Sequence, residues 1–361
     1  MAYTTIDDPS AHFHTRLFQG DGSSGLTVTN NANAGDFKPD WLWIKNRAGT
    51  YATRSHELMD SNRGANKALE ADDTEAEFTR SGTNSFNTNG FTVGDDYGVN
   101  PPSGTTSVAW QWKANGGTTS SNSDGTITST VQANTTAGFS IITYTGNFTD
   151  NQTIGHGLSQ APEALIIKNR DHTSGTSWVI YHEGLNFPTK DLIYFNTNAA
   201  NDHDPTFNNT APSSSVITMG AYSFNNRSGD SHVCYAFHSV KGYSKFGKYT
   251  GNITSGSDGA FVYTGFKPAW LMVKSDSNAG QEWVIFDNKR DSFNQMDAWL
   301  YANASTAEDS TGDARDVDFL SNGFKFRNAG GPTSYSGRTY IYFAFAEHPF
   351  VSSKGVPTTA R

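Results

Sequence analysis

The segment PDWLWIK at residues 39–45 decides the fold class, because it recurs twice further along the chain. Residues 162–168 read PEALIIK and residues 268–274 read PAWLMVK, at spacings of 123 and 106 residues. A second segment, VAWQW at residues 108–112, recurs as VCYAF and then as IYFAF, at spacings of 125 and 108 residues. Because two unrelated segments recur at nearly the same spacings, the sequence predicts three copies of one structural unit.

Each copy has the residue pattern of an antiparallel β-sandwich. Aromatic and polar residues alternate, as in WQW at residues 110–112 and FKF at residues 324–326, which is typical of strands with one buried face. Turn signals such as Asn89-Gly90 separate these runs. We therefore expect an all-β chain of three tandem β-sandwich modules, of jelly-roll or concanavalin-like type. One short helix is predicted as an insert at residues 66–76.

The repeats also set the expected module boundaries. The first module covers residues 1–117, the second covers 138–243 and the third covers 244–351. A Ser/Thr-rich linker covers 118–137, with one candidate strand at 127–131. Residues 352–361 lack core material and are expected to form an extended tail. The linker would let the first module take its own orientation relative to the close pair that follows.

Composition narrows the function classes. The 361 residues carry a net charge of −9 and contain no block of Lys or Arg, so we expect no nucleic-acid site. Cys234 is the only cysteine, which excludes a disulfide framework and a cysteine-rich zinc site and indicates synthesis in a reducing cytoplasm. The beginning of the sequence lacks a signal-peptide pattern, and no apolar run approaches the ~18 residues of a membrane span.

The candidate binding residues are loop aromatics. Most tryptophans occupy equivalent strand positions in the copies, so we interpret them as core rather than as sugar-stacking residues; Trp110 is expected to be a core anchor, as are Tyr235 and Phe343 at its equivalent positions. Tyr51, Tyr97 and Tyr335 lie in Gly-, Ser- and Asn-rich segments and are the predicted surface-binding residues.

No catalytic, cofactor-binding or metal-ligating residue is predicted. The acidic pairs at 7–8, 72–73 and 95–96 lack the alternating spacing of a calcium loop. The DHD triplet at 202–204 is better explained as a polar loop than as a metal site. A glycosidase needs two facing carboxylates, and nothing in the sequence marks such a pair.

Several segments have residue patterns that are similar to those of a known family. They are DFKPDWLWIKNR at 36–47, RSH at 54–56, DSNRGA at 60–65, VAWQWKA at 108–114 with the Ser/Thr-rich segment after it, IGHGL at 154–158, YTGN at 249–252 and AEHPF at 346–350. Across nearly the whole chain, the sequence resembles a module common in tail and other virion proteins of marine bacteriophages. The resemblance implies a virion protein with concanavalin-like (lectin-like) modules, and it brings no established catalytic residue.

The expected function is therefore that of a non-enzymatic virion structural protein, made in the host cytoplasm. The first hypothesis is a tail-associated fibre or adhesion component that contacts a glycan or protein of the host surface. A head-surface decoration or a tail protein without ligand is the alternative, and a glycan-degrading enzyme is a third. Its partners would be other virion proteins and copies of itself, with a trimer as the first expectation from the resemblance.

Overall fold

The computed structural model of the chain describes residues 2–102, 104–172, 176–188, 192–202, 204–254, 258–311 and 315–358. The chain is all-β, as predicted, and the only helix within these residues is a 3-10 turn at Pro9–Ala11. In the same residues, no helix is long and apolar enough to cross a membrane.

Three large antiparallel sheets form the framework. In spatial order the first contains β1 (Phe13–Gln19), β9 (Thr106–Trp112), β3 (Trp41–Ala48), β4 (Glu57–Asp60), β5 (Lys67–Glu70) and β6 (Phe78–Thr79). The second contains β10 (Ser120–Asn122), β11 (Ser129–Asn134), β12 (Phe139–Thr145), β18 (Ser231–Phe237), β14 (Ala164–Asn169), β15 (Val179–His182) and β16 (Ile193–Tyr194). The third contains β19 (Ser244–Thr250), β26 (Thr339–Pro349), β21 (Phe266–Ser275), β22 (Val284–Asp287) and β23 (Leu300–Tyr301).

One order of five strands is common to the three sheets: β1-β9-β3-β4-β5, β12-β18-β14-β15-β16 and β19-β26-β21-β22-β23. We call the parts of the chain that hold these sheets the first, second and third repeat. A smaller sheet packs on each of them: β2 (Leu26–Thr29), β8 (Gly90–Val93) and β7 (Thr83–Asn87) in the first repeat, β13 (Gln152–Gly155) and β17 (Val216–Met219) in the second, and β20 (Phe261–Tyr263), β25 (Gly323–Phe326) and β24 (Val317–Leu320) in the third.

Each repeat has an apolar core between its large and small sheets, but the largest cluster of buried side chains lies between the repeats. Trp110, Tyr235 and Phe343 are at most 2% exposed, so they are core residues as predicted, and all three belong to this shared cluster. The Trp41 ring of the first repeat stacks on Tyr235 of the second at 4.3 Å between ring centroids. The other faces of the three large sheets therefore form one common core.

Three equivalent buried lysines connect the repeats in a ring. Lys45, Lys168 and Lys274 lie on β3, β14 and β21, and each side chain is fully buried. Each ammonium donates to a carbonyl of the preceding repeat: Lys45 to Ser305 O at 3.2 Å, Lys168 to Thr74 O at 2.8 Å and Lys274 to Ala199 O at 2.7 Å. Because the first repeat follows the third in this pattern, the contacts form a closed cycle.

Among the described residues, ion pairs cross two of the three interfaces between repeats. In the first repeat Arg63 contacts Asp60 and Glu77, and Glu77 contacts Arg170 of the second repeat at 2.9 Å. In the third repeat Arg290 contacts Asp287 and Glu308 in the same way, and Glu308 contacts Arg47 of the first at 2.6 Å. The remaining interface has His182 in the place of Asp60 and Asp287, and His182 Nε2 lies 3.1 Å from Tyr342 O.

Three expectations about local structure are wrong. Residues 118–137 are not a linker: β10 and β11 extend the second large sheet by pairing with β12. The predicted helix at 66–76 contains strand β5 instead, which pairs with β4. The tail after residue 351 folds back, because Ser352 N donates to Val356 O at 2.8 Å and Ser353 Oγ donates to Asp7 at 2.5 Å. Residues 359–361 lie outside the described part of the chain.

Candidate binding site

Two of the three predicted binding residues, Tyr51 and Tyr97, lie side by side on the surface of the first repeat. Their ring centroids are 4.9 Å apart and the rings are tilted by 59°. Tyr97 is 42% exposed, and Tyr51 is partly exposed. The two loops that carry these rings follow β3 and β8, so residues 46 positions apart form one aromatic surface. We call it the tyrosine pair.

A buried amide holds the two loops together. Asn46 is fully buried, and its Nδ2 donates to Tyr51 O at 3.2 Å and to Tyr97 O at 2.8 Å. Its Oδ1 accepts from Ser107 Oγ at 2.8 Å, which fixes the orientation of the amide. Because a buried amide that loses its partners is costly, these bonds set the spacing of the two loops. The rings are thereby presented on a rigid base.

Acidic side chains surround one arginine, Arg80, at the base of the loop that carries Tyr97. Arg80 lies 2.8 Å from Glu70, 2.7 Å from Asp96 and 3.1 Å from Glu57. Burial raises the pKa of Glu57 to about 8, and the Arg80 charge opposes this only in part. Glu57 is therefore largely protonated at neutral pH. The backbone of Gly98 covers it so closely that a Cβ at that position would lie 1.7 Å from Glu57 Oε1.

Glu57 has the raised pKa that a general acid needs, but it is 1% exposed. A carboxyl enclosed under a loop cannot reach a polysaccharide unless the loop opens. The cluster therefore has one chemical feature of a glycosidase without its accessibility.

Tyr335, the third predicted residue, lies elsewhere. It is 42% exposed and belongs to the third repeat, with the Arg338 guanidinium 4.7 Å from its ring centroid. It has no aromatic neighbour among the ring pairs of the described residues. The structure therefore brings Tyr51 and Tyr97 together and leaves Tyr335 separate.

The residues that the sequence analysis did not assign to a site are accounted for by packing or by hydrogen bonds within the protein. All eight tryptophans are at most 1% exposed, and Cys234 is buried in the core of the second repeat. Asp72 accepts a bond from His56 N at 3.0 Å. In the described part of the chain, no three His, Cys, Asp or Glu side chains are grouped to hold a metal ion. His203 of the DHD triplet lies outside the described residues.

A second candidate surface is a cleft of about 330 Å³ between the first and third repeats. Its walls come from residues 13–17 of β1, the loop at 31–33, Asn288 with Lys289, and Ala346 with Glu347. Thr15 Oγ1, Arg16 Nε and Asn288 Oδ1 are buried there and make no hydrogen bond within the described residues. Such atoms are costly to leave without a partner, so this cleft is suited to a polar ligand. We call it the β1 cleft.

Comparison with known proteins identifies a family. The model of a family described as a domain of unknown function, DUF7483, matches residues 8–349. The chain belongs to the DUF7483 family. No curated protein matches the chain, and no solved structure matches it.

The extent of the match agrees with the shared core. A single DUF7483 domain runs across all three repeats, as expected of a unit whose parts bury apolar surface against one another. Sequence reasoning found the tyrosines of this DUF7483 domain from loop composition. It missed Asn46 and the β1 cleft, because the cleft residues come from four segments that lie far apart in the sequence.

Proposed function

We propose that this protein is a non-catalytic structural component of a bacteriophage virion, and that it is a tail-associated fibre or adhesion component that contacts the host surface. The phage origin is supported by the resemblance of the segments quoted above, which extend over nearly the whole chain. A rigid all-β body in which three repeats share one core is consistent with such a role. It would be made in the host cytoplasm and act in the virion.

The tyrosine pair is the observation that carries the binding role. Tyrosine has a large rigid apolar face and a hydroxyl at its edge, so it suits surfaces that contact partly polar ligands such as sugars. Tyr97 is exposed although most aromatic residues of this chain are buried, and Asn46 holds it beside Tyr51. We propose a glycan or a glycosylated protein of the host surface as the ligand.

The test is binding of the purified protein to host cells and to a glycan array. Tyr97→Ala should reduce binding at least tenfold while leaving the melting temperature within about 2 °C of wild type, because a partly exposed ring contributes little to the core. Tyr335→Ala is the matched control, since it removes a ring of the same exposure from another surface.

Equal binding by wild type and Tyr97→Ala would overturn the role of the tyrosine pair. No binding to host cells by the wild type would favour the alternative, a head-surface decoration or a tail protein without ligand. Immunogold localisation on the particle separates these two positions. Release of sugars from host polysaccharide would instead support an enzyme and direct attention to Glu57.

A further inference from the structure

The β1 cleft borders a strand edge that carries unused backbone groups. His12 O accepts from Lys113 N and Gly20 N donates to Thr105 O, which fixes the phase of the pairing between β1 and β9. Because bonded and non-bonded pairs alternate in an antiparallel ladder, Phe13, Thr15 and Leu17 direct their N–H and C=O groups away from β9. None of their N–H groups donates a hydrogen bond to another described residue.

The corresponding edge of the second repeat is occupied. Strand β12 has the position of β1 in the five-strand order, and β11 pairs with its outer side. The paired residues include Gln132 with Ile141 and Thr130 with Thr143. By register against the next strand, Ile141 is equivalent to Thr15. The chain thus shows what this edge accepts, which is an extended, Thr- and Ser-containing strand.

In the third repeat, some outward N–H groups of the equivalent edge strand, β19, donate hydrogen bonds to residues of the same chain. Ser244 N donates to Val240 O at 2.9 Å, and Phe246 N donates to Ser239 Oγ at 3.2 Å. Ser244 and Phe246 are the equivalents of Phe13 and Thr15. Among the three equivalent edges, that of β1 is therefore the one whose outward N–H groups have no donor contact in the described residues.

The neighbouring repeat also presents recognition groups at equivalent positions. In the occupied groove, Ser61 Oγ donates to Gln132 Oε1 at 3.0 Å and Asn62 Nδ2 donates to Thr130 O at 3.2 Å. Asn288 and Lys289 have the same positions beside the β1 edge, because Ser61 N bonds Asp40 O as Asn288 N bonds Ala269 O. Asn288 Oδ1 is buried and accepts no hydrogen bond from another described residue.

We propose that the β1 cleft binds an extended Ser/Thr-rich segment of another protein, which pairs antiparallel with β1 as an additional strand. A side-chain donor on that segment meets Asn288 Oδ1, and the Lys289 amine donates to a carbonyl of its backbone. The occupant is a flexible segment rather than the sheet edge of a second copy, because the loop at 31–33 and the third repeat stand on either side of the cleft. The proposal does not depend on the tyrosine pair.

The probe is a dye-labelled peptide with the sequence TITSTVQANTT, which is that of residues 126–136. Fluorescence anisotropy with the full-length protein should show saturable binding. N-methylation of the peptide at the positions of Thr130 and Gln132 removes the N–H groups that would face β1, and should weaken binding at least tenfold. N-methylation at the positions of Val131 and Ala133, which face the other side, should change binding less than threefold.

Variants of the protein test the same contacts from the other side. Asn288→Ala should weaken binding about fivefold, and this loss should disappear when the peptide carries Val at the position of Gln132. Tyr97→Ala should bind the peptide as wild type does, which separates this site from the proposed host-binding surface. Absence of binding, or equal effects of the two N-methylation patterns, would overturn the proposal. Concentration-dependent self-association that the peptide inhibits would show that a second copy occupies the edge, and would also overturn it.

Discussion

Replacement of Trp110 by alanine should destabilise the whole chain as one unit. The Trp110 ring is fully buried and packs 6.2 Å from the ring of Trp270 in the third repeat, and its Nε1 donates to Asp287 there at 2.9 Å. Loss of a buried tryptophan costs about 3–5 kcal/mol. Because Asp287 keeps its ion pair with Arg290, we take about 4 kcal/mol for the loss in the free energy of unfolding.

The size of the cooperative unit then determines the shift in melting temperature. Unfolding entropy is about 2.1 cal/mol/K per residue, so 361 residues that melt together give about 0.76 kcal/mol/K and a shift of about 5 °C. If a repeat of about 110 residues melted alone, its entropy would be about 0.23 kcal/mol/K and its transition would move by about 17 °C. The unfolding enthalpies also differ, at about 250 against about 77 kcal/mol.

Differential scanning calorimetry distinguishes the two cases. The wild type should show one transition whose calorimetric and van't Hoff enthalpies agree, and Trp110→Ala should move all of it by about 5 °C. Phe293→Ala is the control, because Phe293 is 80% exposed and its loss should shift the transition by less than about 1 °C. Separate transitions, of which one moves by about 17 °C, would refute the shared core as the source of stability.

Three further predictions concern charge and assembly. Burial lowers the pKa of Lys168 to about 8 from 10.5, so the unfolded chain holds more protons than the folded chain between these pH values. The wild type should therefore gain stability relative to Lys168→Met as pH rises from 8 to 10.5. An equal difference in urea midpoint at both pH values would contradict this. Burial raises the pKa of Glu57 to about 8 from 4.5, so its stabilising effect is complete below 4.5 and is lost as pH rises to 8. Glu57→Gln should therefore gain stability relative to wild type over that interval, and a constant difference would count against a protonated Glu57. Light scattering should show a homo-oligomer, and the family resemblance gives three copies as the first expectation. A protein that is a monomer in solution and also occurs singly at each site of the particle would exclude the trimer.

The strand positions could be predicted from sequence because each depends on a local pattern. Alternation of apolar and polar residues indicates a half-buried strand, and the repeated spacings locate equivalent strands in the three repeats. The predicted helix shows where local information failed. Residues 67–70 read KALE, which are good helix formers, but Leu69 pairs with Leu58 and both Ala68 and Leu69 are buried on opposite faces of the sheet. Burial on both faces outweighed helix propensity.

In residues 118–137 the sequence indicates only one candidate strand, at 127–131, for a different reason. The Ser and Thr residues of this segment have the composition of a flexible linker. In the structure, Gln132 is fully buried, and it bonds Asp40 at 2.8 Å and Ser61 at 3.0 Å. These partners lie in the first repeat, so the strand is stabilised by a groove between two repeats. Because the partners of Gln132 lie in another repeat, the segment alone does not show that it extends the second large sheet.

The candidate sites could be predicted from the sequence only where local composition marks them. Loop composition selected Tyr51 and Tyr97, but their contact depends on the buried Asn46, which looks like any polar residue at the end of a strand. Comparison of the repeats with one another gives a further criterion. The lysines that join the repeats occur in all three. Glu57 occurs only in the first repeat and corresponds to Val179 and Val284. Asn46 corresponds to Asn169 in the second repeat and to Ser275 in the third.

This criterion separates structural from functional positions on physical grounds. A position that closes the ring has the same task in each repeat, because each lysine must satisfy carbonyls of the preceding repeat. A binding surface needs to exist only once, so it can differ between repeats without opening the ring. The tyrosine pair lies in the first repeat. The free edge of β1 also lies there, and it differs from the edges of β12 and β19, which have partners within the chain. Exchange of Asn46 for Ser, the residue of the third repeat, removes the amide that spaces the two tyrosine loops. It should therefore weaken host binding while leaving the single melting transition in place. Loss of the cooperative transition with intact binding would show that Asn46 belongs to the structural set instead.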